Sequence, residues 1–217
     1  MKSKLIIIIL LGCAYISLFG QKDINPNGYN KIFYPNGSLQ SEGRLVNGKP
    51  EGYWRNYYPT GVLKSEGSRK NNLLDSIWIF YSITGDTISK IHYLNGKKNG
   101  YSIEFFANAK NPLYKHNINL KELYVNNRKE GKSFYYYEDG KIKEVCNYEN
   151  NLKEGEAIEY AEDGRVISIK KYRKGTLVDR EKVNRFTEDN RKNKVWKEFY
   201  PNGKLKSEAY FKNGVLD

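Results

Sequence analysis

The side chains able to do chemistry are few and scattered. His92 and His116 each stand without a second metal ligand or a carboxylate at a recognisable spacing, so neither opens a metal site or an acid–base pair. Cys146 follows Val145 in what reads as a strand interior, where a packed thiol is the default over a nucleophile. Glu42, Glu66 and Glu208 recur at one place in a repeating pattern, with Lys64 and Lys206 close by. Recurrence of that kind points to a surface ladder of charges and not to a unique acid–base couple. No phosphate loop, nucleophile elbow or HExxH helix is present. The expectation is a chain with no catalytic residue, no cofactor-binding residue and no metal site, and so not an enzyme.

The elements that position these residues follow from an internal repeat. With Gly52-Tyr53-Trp54-Arg55-Asn56-Tyr57-Tyr58-Pro59-Thr60-Gly61 as template, units begin at Gly28, Gly52, Ser76, Gly100, Gly131, Gly155 and Lys194. The regular spacing is 24 residues; the fourth unit carries seven more and the sixth fifteen more, which places inserts near 107–119 and 179–193. One column holds an aromatic ring in every unit: Phe33, Tyr57, Tyr81, Phe105, Tyr136, Tyr160 and Phe199. A second holds Gly37, Gly61, Gly85, Gly140, Gly164 and Gly203, with Ala109 near the vacant place in the fourth unit. A third is a turn site, Asn47, Asn71, Asn95, Asn126, Asn150, Lys174 and Asn213, followed each time by Gly or Asn.

Each unit therefore reads as two strands and two turns. In Tyr58-Pro59-Thr60-Gly61 and its equivalents, proline presets the first corner and glycine accepts the left-handed φ of a three-residue hairpin loop. The Asn-Gly and Asn-Asn sites tolerate positive φ and lead into the next unit. Counting by twos from Tyr57 across to Leu63 puts positions 57, 63 and 69 on one aromatic and aliphatic face; Trp54, Tyr58, Lys64 and Glu66 fall on the other, mixed face. The predicted fold is all-β: a repetitive antiparallel hairpin meander, or open solenoid, of seven units and about fourteen strands, with an aromatic spine.

These residues resemble the MORN-repeat family, in particular its bacterial variant, often termed YwqK-type antitoxin repeats. The likeness rests on Gly52-Tyr53-Trp54, the Tyr57-Tyr58 pair, Pro-Asn-Gly turns followed by Leu205-Lys206-Ser207-Glu208, and Asn95-Gly96-Lys97-Lys98-Asn99-Gly100. It covers roughly 28–217, with gaps at 107–119 and 179–193. The resemblance implies roles in protein association, membrane-proximal scaffolding or phospholipid binding. Its antitoxin label would imply neutralising a toxin by binding it.

Residues 1–20 stand outside the repeat. Lys2 and Lys4 precede the apolar stretch Leu5–Phe19, the length of a signal peptide and short for a membrane span. Cleavage is expected before Gln21, leaving 21–27 as a linker and 28–217 as the repeat domain. Leu10-Leu11-Gly12-Cys13 offers an alternative, a lipoprotein anchored through Cys13. After cleavage Cys146 is the one cysteine, so no internal disulfide framework is available to an exported chain. The location implied is periplasmic or secreted, and the mature protein is not transmembrane.

The formal charge of +12 comes from 37 basic and 25 acidic residues spread along the chain, which suits either a solvated surface or an anionic partner. Trp54, Trp78 and Trp196 share a column with Asn30, Ser102, Ser133 and Ala157, so each ring either covers the sheet locally or belongs to a contact surface. The candidate partner-binding set is Trp54, Trp78, Trp196, Tyr58 and Tyr200, with Arg185 and Lys192 from the second insert. The partner expected is an unidentified protein or an anionic envelope surface, with no nucleic acid.

Overall fold

The computed structural model describes residues 24–107, 111–114, 116–200 and 203–217. The expected signal peptide, Cys13 and the cleavage site at Gln21 lie outside the described residues. The chain is all-β, with one 3-10 turn at Pro112–Tyr114 in the first insert. The first strands are β1 (Tyr29–Phe33), β2 (Leu39–Val46), β3 (Lys49–Tyr57), β4 (Leu63–Lys70), β5 (Leu73–Tyr81) and β6 (Thr87–Leu94). Next come β7 (Lys97–Phe105), β8 (Ile118–Val125), β9 (Arg128–Lys129), β10 (Gly131–Tyr136), β11 (Ile142–Glu149), β12 (Leu152–Lys153) and β13 (Gly155–Tyr160). The last are β14 (Val166–Arg173), β15 (Thr176–Lys182), β16 (Arg185–Phe186), β17 (Lys192–Phe199), β18 (Leu205–Lys212) and β19 (Val215–Leu216). β1 to β15 form one open antiparallel sheet in sequence order, with β9 and β12 paired off the main path; β16 to β19 form a second sheet. β9/β10 and β12/β13 are single first strands of a unit, broken at Glu130 and Glu154.

The turn columns behave as their chemistry requires. Tyr58 N–H donates to Val62 O and Gly61 N–H to Tyr58 O, and the glycines of this column hold φ between 82° (Gly203) and 87° (Gly85). At the other turn Asn71 and Asn72 hold φ of 51° and 68°, the paired left-handed conformation that asparagine tolerates. Both edges are laced to the next unit. Hydroxyls of Tyr34, Tyr58 and Tyr137 donate to the carbonyls of Tyr57, Tyr81 and Tyr160 at 2.7–2.9 Å. On the opposite edge the carboxylates of Glu51, Glu130 and Glu154 accept the turn N–H groups of Asn71, Asn150 and Lys174.

The faces do not divide as counting by twos suggests. Tyr57 does pair with Leu63, but a β-bulge between Asn56 and Tyr57 breaks the alternation there, and the same shift recurs in every unit. Tyr57 reaches Glu42, opposite Arg55, whereas Arg69 lies over the Trp78 ring on the other side of the sheet. Nor is the aromatic column a buried spine: Phe33, Tyr57, Tyr81, Phe105, Tyr136, Tyr160 and Phe199 are all half-exposed. The buried row is instead the column that tolerates small residues. It runs Asn30, Gly43, Trp54, Gly67, Trp78, Ile91, Ser102, Glu122, Ser133, Cys146, Ala157, Lys170 across neighbouring strands. Large and small alternate because each ring needs room over its neighbour. A Cβ on Gly43 would lie 2.4 Å from the Trp54 ring, and one on Gly67 2.6 Å from Trp78. We call this the inner face.

The second insert is a truncated extra unit. Val183 is fully buried like the inner row, and Thr187 to Arg191 repeat the hairpin hydrogen bonds, with Asn190 at φ 60° in the place of glycine. Val183 N–H donates to Ile167 O on β14, while Asn184 N–H donates to Val195 O on β17. The strand thus leaves one sheet and joins the other within a single peptide step.

Candidate interaction surface

Polarity changes sides along the sheet. On the outer face a directly paired row runs Lys31, Glu42, Arg55, Glu66, Ile79, Lys90, Ile103, Lys121, Phe134, Val145, Ile158, Ile169. Its first part is ionic. The Tyr57 hydroxyl donates to Glu42 at 2.6 Å and the Tyr81 hydroxyl to Glu66 at 2.7 Å, with Arg55 within 3.9 Å of both carboxylates. The Tyr57 bond holds Glu42 below the usual carboxylate range; burial would raise Glu66, but bonds from Tyr81, Tyr53 and Arg55 outweigh it. Burial, then the carboxylate bonds, push Tyr57 and Tyr81 up to about 12. Lys64, expected beside Glu66 in a ladder, lies over the Tyr58 ring instead.

From Phe134 onward the outer row is apolar and half-exposed; Lys121 separates it from Ile103, near which Ile77 and Tyr101 are 57% and 48% exposed. Ile77, Lys90, His92, Tyr101 and Ile103 line a shallow cleft of about 210 Å³. The inner face beneath this region is ionic. Glu144 accepts Lys153 at 2.5 Å and Lys170 at 3.0 Å, and Glu122 accepts Lys129 at 2.5 Å and the Tyr124 hydroxyl at 2.9 Å. Burial alone would raise Glu144, but the two lysines hold it below the usual range. Burial also raises the Tyr124 and Tyr135 phenols and the Cys146 thiol. A raised thiol pKa disfavours the nucleophilic thiolate. No group of three His, Cys, Asp or Glu residues among the described residues could hold a metal ion.

The structure separates the candidate partner-binding residues. Trp54 and Trp78 are 4% and 2% exposed, each with its indole N–H on a carbonyl of the preceding strand, Arg44 or Ser68. They offer no ring face to a partner; the small residues sharing their column misled because size is traded against the neighbouring strand. Tyr58 is tied into the edge ladder. Trp196 is half-exposed between Phe186 at 5.0 Å and Phe211 at 6.2 Å, with Lys192 over its ring at 4.6 Å. Arg185 is exposed and its carbonyl accepts the Trp196 N–H, so Trp196, Arg185 and Lys192 form one cluster. Tyr200 is exposed at the rim of a cleft of about 600 Å³ between the two sheets, lined also by Ile158, Tyr160, Arg165 and Phe199. The outer apolar row went unrecognised from sequence; its signal was Phe134, Val145, Ile158 and Ile169, two of them on each unit.

Four segments, 26–47, 50–71, 129–150 and 192–213, match the MORN repeat variant. Over these four segments the chain is similar to MORN repeats. Each matched segment begins two residues before the opening residue of a structural unit and ends on the first residue of the asparagine turn, so it spans one hairpin. The units beginning at Ser76, Gly100 and Gly155 lie outside the matches yet share the bulge of the matched units, at Phe80/Tyr81, Glu104/Phe105 and Glu159/Tyr160. No curated protein matches the chain.

Proposed function

We propose that this chain is an exported, non-enzymatic scaffold that holds a protein partner on the outer face of its MORN sheet. The observation that carries the reading is the apolar, half-exposed outer row from Phe134 to Ile169, with Ile103 and the exposed Ile77 and Tyr101 on the other side of Lys121. An apolar surface of this kind, interrupted by Lys121 and bordered by Lys90, suits a protein interface. MORN repeats are in general associated with binding and scaffolding, which agrees with it. The repeats are taken as the bacterial YwqK-type variant on their Pro-Asn-Gly turns. Export rests on Lys2, Lys4 and Leu5–Phe19.

The test is capture of proteins by the full chain, compared with Ile77→Glu and Tyr101→Glu. Both side chains are exposed, so folding should persist while capture is lost. Capture unchanged in both variants would remove the outer face from the reading. N-terminal sequencing of fractionated cells should find Gln21 at the mature terminus; a lipid-bearing Cys13 would replace that cleavage by the lipoprotein one, and a retained Met1 would refute export.

A further inference from the structure

The transfer of the strand between sheets at Val183 and Asn184 has a cost at β15. β15 pairs with β14 from Thr176 to Lys182, and among the described residues no strand pairs with its outer edge. Thr176 to Arg180 are all exposed, Leu177 and Val178 at 46% and 50%. An open edge of this length offers unpaired N–H and C=O groups to an extended chain, although the Arg180 N–H donates to Asp179 Oδ1 at 2.8 Å. Elsewhere in this sheet the outgoing strand of the same unit covers that edge from the unit's opening residue onward, as β4 covers β3 from Gly52; here, from Asp179 onward, the truncated unit supplies β16 and moves away to β17.

Charge selects among possible occupants. Residues 166–199, β14 to β17, hold eleven Lys and Arg against five Asp and Glu, a net +6 and half of the formal +12. Lys171, Arg173, Lys174 and Lys182 flank the edge and are exposed. Two copies joined edge to edge would bring two such fields together, which opposes self-pairing. A lipid surface would satisfy the charge but not the edge amides. A polypeptide strand with acidic side chains satisfies both, and Leu177 and Val178 give its apolar positions a surface.

We infer that the outer edge of β15 is a strand-addition site for an acidic, extended segment of a partner protein. The inference rests on the protein-scaffold reading and names a second point of attachment for it. Main-chain hydrogen bonds supply the hold, the surrounding lysines and arginines supply selection, and alternate side chains lie over Leu177 and Val178.

The probes are a capped octapeptide of alternating Glu and Val, its Lys–Val counterpart, the Glu–Val peptide N-methylated at alternate residues, and phosphatidylglycerol vesicles. Amide hydrogen exchange of the full chain should show new protection in Thr176–Arg180 with the Glu–Val peptide alone. N-methylation should abolish that protection, and K171E/R173E/K182E should weaken binding by at least about tenfold with unchanged melting. Equal binding of the Lys–Val peptide, or binding indifferent to N-methylation, overturns the inference. Protection by vesicles and not by peptide gives the surface to lipid, and protection in a dimer without peptide gives it to a second copy; either also overturns it. If the peptide fails while Ile77→Glu still abolishes protein capture, the strand site falls and the scaffold stands; if neither responds, both fall.

Discussion

The second and third units and the fifth and sixth share a backbone and exchange their faces. In the former the inner row is Trp54, Gly67, Trp78 and the outer row Arg55, Glu66; in the latter the inner face carries Ser133, Glu144 and Lys170 and the outer row passes through Phe134, Val145, Ile158. Turns and bulges fix the register in both, through positive φ at Gly61 and Gly140 and at Asn71 and Asn150. Polarity is then free to change sides, because each side chain answers to its cross-strand neighbours and to little else. In the first region burial of large rings stabilises the sheet. In the second, an ion and hydroxyl lattice occupies the same place and the apolar side chains lie on the outer face.

Trp78→Ala should break the first region most. Its ring is 2% exposed, so the variant should lose about 3–5 kcal/mol in urea unfolding. At the equivalent place in the fifth unit, Ser133 Oγ is buried without a hydrogen-bond partner, and Ser133→Ala should change stability by less than about 0.5 kcal/mol or raise it. Similar losses at both positions would mean that the two regions are held in the same way. Gly67→Ala comes next, at about 1–3 kcal/mol, because the added methyl meets the Trp78 ring 2.6 Å away.

The ionic lattice makes its own demand. Glu144→Gln should cost about 1–3 kcal/mol near neutral pH, since Lys153 and Lys170 lose a half-buried counter-charge. The folded-state pKa of Glu144 is depressed, so its contribution is present above the ordinary value near 4.5 and is lost as pH falls through the folded value. Wild type should therefore lose stability below about pH 4.5, and Glu144→Gln should lose less. Parallel pH–stability curves for the two proteins would remove Glu144 from the account of this region.

The repeat, its turns and the open meander were legible in the sequence because glycine, proline and asparagine report backbone conformation directly. The faces were not, for two reasons. The bulge at Asn56 and Tyr57 adds a residue that no side chain announces, so alternation counted through the turn assigns Arg69 to the wrong side. Burial of Trp54 depends on Gly43 in a different strand, and a column read alone cannot show it. The site at β15 was hidden for a related reason: the insert reads as a charged loop until Val183 and Asn190 are seen in the positions of Trp54 and Gly61.

The smallest effect tests whether backbone register is common to both regions. In the units after the first, the opening residue holds positive φ: 70° at Gly52, 68° at Gly131 and 74° at Gly155, but also 60° at Ser76. A left-handed conformation costs a residue with a Cβ about 1–2 kcal/mol, whereas glycine takes it freely. Replacing Ser76 by glycine removes that cost and adds some unfolded-chain entropy, so the net gain should be about 0.5–1 kcal/mol. The lost Ser76 hydroxyl contact with Asp75 is exposed and long at 3.2 Å, too weak to offset it. An upward shift in the urea midpoint at constant slope is the expected reading. Gly155→Ser should show the reverse in the sixth unit, by a similar amount. If Ser76→Gly destabilises while Gly155→Ser does so too, serine holds its position by contacts of its own, and the register of the two regions is not the same at the start of the unit.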